Sequence, residues 1–342
     1  MTKKTDTSVE ESQKDAAARR ANGEFVRGVS KFRNTIAHGS DFPPEPNRYH
    51  LFVAFNCPWC HRVTLARDVL GLANSITMDV AFPNRTDEHD PAGPNLWEFS
   101  PDRIASLTGQ PLPECTSETG TGRAFRLAKE IYQAENSDEQ SVPILYDKLN
   151  RRIVSNESAE ILRMLNKYAD ALGSRLDQSA RPDLYPDALA REIDRLNDLI
   201  YVAINNGAYK AGFSSDQSVY KKAFRTYFDT LQILDERLGA DGRPYLCGDQ
   251  ITEADLRLFP TLYRHDPVYH LRMKLNAARI LDYPNLWRWL CRIYALPGIP
   301  ESNSLVHCRQ GYFGRSWNGV IPLGPEVPMP YPEAYRHPDL AG

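Results

Sequence analysis

A run of aromatic and branched residues, Tyr49-His50-Leu51-Phe52-Val53-Ala54-Phe55, breaks off at Asn56-Cys57-Pro58, and a helical stretch follows to about Leu70 before Gly71 closes it. The run reads as a buried strand, and glycine after the last periodic residue is a helix stop. Pro58 suits a first helical turn, where its missing N–H costs nothing. Cys57 therefore sits where a strand hands over to a helix, next to free backbone N–H groups and the positive end of the helix dipole. Such sites favour the thiolate, the nucleophilic form, and lower a cysteine pKa from about 8.5 to roughly 3.5–7.5. Arg62 adds a nearby positive charge.

The segments around this junction predict an α/β unit. Ile76, Met78, Val80 and Phe82 alternate, as in a strand with one buried face. Residues 83–122 hold six prolines and four glycines, more than a regular element tolerates, and a connection of that length is more often functional or mobile than inert. A short helix is expected over 122–133. Strands follow at 142–146 and 152–155, joined by Asp147-Lys148-Leu149-Asn150 at hairpin length. Ser155-Asn156-Glu157-Ser158 then opens a helix whose buried face is Ile161, Leu162 and Leu165. Strand, helix, strand, helix, hairpin and closing helix is the order of a thioredoxin-like domain.

The second half loses the alternation. Leu189, Ile193, Leu196 and Ile200 are spaced as on one helix face, and so are Ala223, Tyr227, Leu231, Leu234 and Leu238. Thr252-Glu253-Ala254-Asp255 resembles a capping box with aspartate in place of glutamate, stapled by Ile251. The last helix is expected through Leu286 to Tyr294. The predicted organisation is a disordered tail over 1–24, which carries ten charges, then a thioredoxin-like domain over 25–170 with the long insertion 83–122. An all-helical domain over 185–300 and an irregular tail over 301–342, proline-rich from Gly319 on, complete it.

Composition narrows the function classes. The 342 residues sum to a net charge of −3 with pI near 6.3, so no basic field points to nucleic acid or an anionic membrane. No apolar run approaches membrane-spanning length, and residues 1–20 lack the apolar core of a secretory signal. Six cysteines in so long a chain suggest a reducing cytoplasm and no disulfide framework. Three other readings of Cys57-x-x-Cys60-His61 fit less well. It is also a haem-attachment pattern, but a chain that opens on a buried strand suits haem poorly. Structural zinc needs four ligands, whereas Cys115, Cys247, Cys291 and Cys308 are isolated, so no metal is expected. Inert core cysteines are common, but the strand–Cys–Pro–helix setting argues for a redox role.

The chain resembles the glutathionyl-hydroquinone reductases, the Xi class of glutathione transferases. The resemblance is carried by Gly23-Glu24-Phe25-Val26-Arg27, Phe32-Arg33, Arg48-Tyr49-His50-Leu51, Cys57-Pro58-Trp59 and His61-Arg62. It continues through Ile153-Val154-Ser155-Asn156-Glu157-Ser158-Ala159-Glu160-Ile161 and Asn205-Asn206-Gly207-Ala208-Tyr209-Lys210-Ala211-Gly212-Phe213. The last blocks are Gly248-Asp249-Gln250-Ile251-Thr252-Glu253-Ala254-Asp255, Asp282-Tyr283-Pro284-Asn285-Leu286-Trp287 and Gly319-Val320-Ile321-Pro322-Leu323-Gly324-Pro325.

The resemblance implies a thioredoxin-like domain followed by an all-helical transferase domain, with Cys57 as the nucleophile that takes glutathione from a hydroquinone thioether. It implies that Tyr209 and Tyr312 line the hydroquinone site, where tyrosine stacks on a flat phenol and hydrogen-bonds it. It places the thiol against Trp97, a cis Val142-Pro143 bond, Glu157 and Ser158, with glutathione as co-substrate and a homodimer as the assembly. A plain helix cap is the other reading of residues 155–158. Two positions depart from the family. Cys60 stands where alanine is usual, so it is either a resolving thiol or a packing residue. Glu139, beside Asp138, stands where an arginine tends to bind glutathione's carboxylate. Either the carrier is another low-molecular-weight thiol, such as mycothiol, or Arg123 or Arg126 supplies the charge. Two other functions stay open: a glutaredoxin-like dithiol oxidoreductase using Cys57 and Cys60, and a non-catalytic binding protein on the same fold.

Overall fold

The computed structural model describes residues 22–109, 125–299, 303–316 and 318–324. Expectations for the tail over 1–21, for residues 110–124 with Cys115 and Arg123, and for residues 325–342 lie outside the described residues.

The first half forms one four-stranded sheet. Strand β1 (Tyr49–Val53) is buried along its whole length and pairs in parallel with β2 (Thr77–Val80), His50 opposite Thr77. On its other side β1 runs antiparallel to β3 (Ile144–Asp147), which pairs with β4 (Arg152–Ser155), giving the order β2-β1-β3-β4. Strand β3 starts two residues later than the sequence suggests because Val142-Pro143 is a cis bond and proline has no N–H to give a ladder. In β2 only Thr77 is exposed. Asp79 is buried and lies 3.7 Å from the buried His50, so beyond Thr77 both faces of the strand are covered.

Helix α1 (Pro58–Val69) follows β1 directly, with Pro58 in its first turn. Within the insertion the expectation of irregular chain is corrected: Pro101–Thr108 is a helix, α2, ended by the left-handed Gly109. Pro101 sits in the first turn, the one helical position that suits it. Helix α3 (Ala128–Gln133) is shorter than expected, since Leu127 is extended and bridges Glu98. Phe99 and Phe125, flanking residues 110–124, cover Phe52 at ring distances of 5.1 and 6.0 Å. Helix α4 (Ser158–Lys167) buries Ile161, Leu162 and Leu165 as predicted and packs beside α1.

The second half is helical: α5 (Ala190–Leu199), α6 (Asn206–Phe213), α7 (Gln217–Gly239), α8 (Glu253–Arg264) and α9 (Pro284–Tyr294). None of the described helices is long and apolar enough to cross a membrane. At the start of α8 the Asp255 carboxylate accepts from the Thr252 N–H and hydroxyl, both at 2.9 Å, and from Leu246 N–H and Trp289 Nε1. A shorter aspartate thus completes the predicted box while also anchoring α9. Glu253, fully buried, ties the halves together: it accepts from Arg163 of α4 at 2.7 Å and from Asn197 of α5 at 2.6 Å.

Two boundaries are corrected. Residues 22–24, expected in the disordered tail, are placed against the helical half. Gly23 O accepts the Ser215 N–H, and Glu24 pairs with Lys210 at 2.6 Å. Residues 305–314, expected within the irregular tail, form α10 (Leu305–Arg309) and a π-helical turn over Gln310–Gly314. Similar π turns occupy Ile200–Asn205 and His265–Tyr269. Widened turns of this kind recur at functional sites, and two of them carry Tyr269 and Tyr312.

Candidate active site

Cys57 is the N-cap of α1 and is partly exposed, with its Sγ 3.8 Å from the Val142 carbonyl. Burial alone would raise its pKa. Hydrogen bonds from the Cys60 thiol and from the Cys60 and Trp59 N–H groups, together with the Arg27 charge, bring it down to about 6. Cys60 is fully buried, and its pKa is raised well above the usual thiol value by burial and by its bond to Cys57. At neutral pH the arrangement is a thiolate at Cys57 solvated by a thiol at Cys60. Alkylation of Cys57 by iodoacetamide is therefore expected to be half-maximal near pH 6 and flat above about pH 7, whereas an ordinary thiol keeps gaining reactivity to about pH 9. A stopped-flow pH profile still rising through that range would contradict the thiolate.

Three phenols meet at Tyr312, and one of them, Tyr209, feels the Cys57 charge. Tyr312 Oη lies 2.8 Å from Tyr209 Oη and 3.0 Å from Tyr269 Oη. Burial raises all three pKa values, so each hydroxyl keeps its proton and can donate. Tyr209 lies within α6, with Phe25 and Phe213 at ring distances of 6.0 and 5.6 Å. A Cβ on Gly311 would overlap the Asn56 amide, so glycine is what lets the π turn bring Tyr312 against the strand end before Cys57.

A groove of about 190 Å³ runs beside the cysteine, lined by Arg27, Ser30, Trp59, Pro143, Glu157 and Ser158 among others. Trp59 lies under the guanidinium of Arg27 at 3.8 Å and close to that of Arg62 at 4.7 Å. Glu157 caps α4 through the Ala159 N–H at 3.2 Å and also accepts the Ser30 hydroxyl at 3.1 Å. The helix-cap reading of residues 155–158 therefore holds, and Glu157 and Ser158 also line the groove. Trp97 does not line this groove; its ring carries the Arg85 guanidinium at 3.8 Å.

The acids that stood out in the sequence have partners of their own. Asp138 pairs with Lys31 at 2.9 Å, and Glu139 accepts the Lys31 N–H at 3.2 Å and the Asn156 amide. They fasten the 30–31 segment to the sheet. Arg126 is engaged by Asp90 at 2.7 Å and Glu98 at 3.1 Å, and among the described residues the cation that lines the groove is Arg27. Arg27, Tyr269 and Arg264 were not singled out from sequence. For Arg264 a signal existed, a cation directly after the largely apolar run Leu258 to Tyr263. It is fully buried and donates to the carbonyls of Phe55 at 2.6 Å, Pro260 at 2.8 Å and Asn56 at 3.3 Å. It also bonds His61 Nδ1 at 2.7 Å. Because a guanidinium only donates, that nitrogen accepts and His61 is neutral, in keeping with its strongly lowered pKa from burial and the Arg264 charge.

A cysteine-bearing thioredoxin-like layer seated on a helical domain defines a glutathione transferase. Family models for the glutathione S-transferase N-terminal and C-terminal domains match residues 56–167 and 210–292. The chain is 37% identical to the glutathionyl-hydroquinone reductase PcpF of Sphingobium chlorophenolicum, covering 91% of this chain and 92% of that one. It is 40% identical to the glutathionyl-hydroquinone reductase YqjG of Escherichia coli, covering 88% of each. Among solved structures, the Xi glutathione transferase of Phanerochaete chrysosporium matches with TM-score 0.79 at 36% identity over 92% of this chain and 96% of that one. The glutathione-bound structure of YqjG matches with TM-score 0.75 at 38% identity over 89% and 96%. The chain belongs to the Xi-class glutathione transferases, the glutathionyl-hydroquinone reductase family. It is an enzyme, a transferase-like oxidoreductase.

Proposed function

We propose that the protein cleaves glutathionyl-hydroquinone thioethers through a mixed disulfide on Cys57. The observation that carries this reading is a half-buried thiolate whose charge acts on Tyr209, one of three hydrogen-bonded phenols. The Cys57 thiolate attacks the glutathione sulfur. The carbon–sulfur bond breaks, its electron pair stays on the ring carbon, and that carbon takes up a proton; the Tyr209, Tyr312 and Tyr269 hydroxyls are the donors at hand. The hydroquinone leaves. A second glutathione thiolate attacks the mixed disulfide, releasing oxidised glutathione and the Cys57 thiolate. The substrate's ring carbon is reduced, and two glutathione sulfurs are oxidised.

The groove beside Cys57 is where the thiol would lie. The Val142 backbone would pair with its peptide-like portion as an added strand, Glu157 would take its amino group and Ser158 a carboxylate. Trp97, implicated by family resemblance, would act through the Arg85 it supports. Glutathione is the thiol we favour over mycothiol, because Glu139 is occupied by Lys31 and Asn156 and Arg27 offers a carboxylate its counter-charge. The reading includes work in a reducing cytoplasm, consistent with five free cysteines among the described residues, and a homodimeric assembly as in the wider family. A dithiol route through Cys60 is favoured by one observation, its bond to Cys57.

The test is to expose the protein to a glutathionyl-hydroquinone and follow hydroquinone by chromatography and Cys57 by mass spectrometry. Release with a glutathione adduct on Cys57 is expected, with Cys60→Ala keeping most of the turnover. Loss of turnover in Cys60→Ala, with the adduct trapped, would assign the second step to Cys60. Neither release nor adduct, while Cys57 still alkylates, would refute the glutathione reading and leave the mycothiol conjugate as the next substrate.

A further inference from the structure

We propose that Cys60 is a resolving thiol for an oxidised Cys57: a hydroperoxide turns the Cys57 thiolate into a sulfenic acid, Cys60 closes it into a disulfide, and glutathione reopens the pair. This rests on Cys57 being the reactive thiolate of the reductase reading, and it adds a second reaction at the same sulfur, the glutathione-dependent reduction of a hydroperoxide. Cys57 is the N-cap of α1 and Cys60 is its third helical residue. The His61 N–H donates to the Cys57 carbonyl at 3.0 Å, so both cysteines are fixed on one turn. On helix geometry their Cα atoms are about 5 Å apart, within the roughly 4.4–6.8 Å that a disulfide spans. Side chains on a helix lean toward its N-terminus, which carries the Cys60 sulfur back over the turn that Cys57 begins. The same two positions of α8 show how near such side chains come: Thr252 Oγ1 is 2.9 Å from Asp255 Oδ2.

The two sulfurs differ in exposure. Cys57 is partly exposed, whereas Cys60 is fully buried. An accessible thiolate is what a hydroperoxide oxidises, and a buried thiol escapes it. Burial also keeps Cys60 protonated, so it stays a thiol until an oxidised neighbour calls on it. No other described cysteine shares α1: Cys308 lies on α10 with its Sγ 3.7 Å from the Phe55 carbonyl, and Cys247 and Cys291 belong to the helical half. In the first step the Cys57 thiolate takes one oxygen of the hydroperoxide, and the other leaves with a proton as an alcohol or water. The Cys60 sulfur then attacks the sulfenic sulfur, and hydroxide departs with the Cys60 proton as water. One glutathione thiolate attacks the accessible Cys57 sulfur, and Cys60 leaves and takes back a proton. That step yields the mixed disulfide of the reductase cycle, which a second glutathione clears as oxidised glutathione. Each round oxidises two glutathione thiols and reduces one hydroperoxide. While bridged, Cys57 has no thiolate and cannot attack a thioether.

The test treats the protein with hydrogen peroxide in the absence of glutathione, alkylates it, digests it with trypsin and reads the peptides by mass spectrometry. Cleavage after Arg48 and Arg62 puts Cys57 and Cys60 on one peptide and Cys308 on another. In the wild type that peptide is expected unalkylated and two hydrogens lighter than its reduced form. Hydroquinone release from a glutathionyl-hydroquinone is expected to be lost with the bridge and regained once glutathione is added. In Cys60→Ala, which carries the residue usual in the family, Cys57 is expected to go on to the sulfinic acid, two oxygens heavier, and to stay inactive in glutathione. Each protein is compared with its own untreated rate. A wild type whose Cys57 reaches the sulfinic acid, bridges Cys308 or resists the peroxide would overturn the proposal, and so would a bridge that glutathione leaves closed. An untreated wild type that releases no hydroquinone would instead overturn the reductase reading, while the peptide mass still decides whether Cys60 resolves Cys57.

Discussion

Cys57→Ser is expected to abolish hydroquinone release, by about 10³-fold or more, while the protein stays folded. An alcohol at that position is not ionised near neutral pH and cannot form the mixed disulfide on which the turnover depends. The side chain is only partly buried and a serine oxygen can still accept from the Cys60 and Trp59 N–H groups, so the exchange of sulfur for oxygen should cost less than about 1 kcal/mol of stability. The phenol cluster and the groove are untouched. Residual release within tenfold of the wild type, with a matching melting curve, would mean that another group performs the attack. Cys60 is a poor substitute because it is fully buried and its thiol is held protonated.

Arg264→Met is expected to cost about 3 kcal/mol and to slow Cys57 alkylation as well. One guanidinium satisfies three carbonyls and a histidine nitrogen, and each buried acceptor left without a donor costs about 1–3 kcal/mol. Two of those carbonyls belong to Phe55 and Asn56, the residues that lead into Cys57. The same cation therefore joins α8 to the end of β1 and fixes where α1 begins. Arg264→Lys keeps the charge but cannot span four acceptors, so it should fall between the two. Thermal unfolding and alkylation kinetics together check this; a variant with unaltered melting and unaltered Cys57 reactivity would remove Arg264 from the positioning of the nucleophile.

The parts of the molecule that could be read from sequence rest on short-range rules. The strand–Cys–Pro–helix junction, the helical periodicities at 189–200 and 223–238 and the box at Thr252 and Asp255 each lie within a few residues of one another. Backbone geometry makes those neighbours interact in nearly any fold. Resemblance to a family added Tyr209 and Tyr312 as single positions. It did not say that their hydroxyls meet, nor that Tyr269 completes the chain of three. Proline content misjudged residues 101–108 and 305–314 in different ways. Pro101 starts a helix where proline reads as a breaker, and the tail's prolines begin only at Pro322, past residues 305–314.

Charge was the least legible property. Glu139 and Asp138 read as a threat to an anionic ligand, yet the tertiary structure places Lys31 and Asn156 against them. Arg126, an apparent candidate for the site, is bound to Asp90 and Glu98. Arg27, Arg85 and Arg264 are distant in sequence and become the charges that matter around Cys57. By itself the sequence determined that a cysteine sits at a strand–helix junction and which segments are strand or helix, because a junction and a period are local. Only the tertiary structure decided how acidic that cysteine is, which phenols share a proton network and which arginines carboxylates already engage. Those depend on burial and on Coulomb interactions among residues as far apart in the chain as Arg27 and Arg264, and distance in space is what a sequence does not carry.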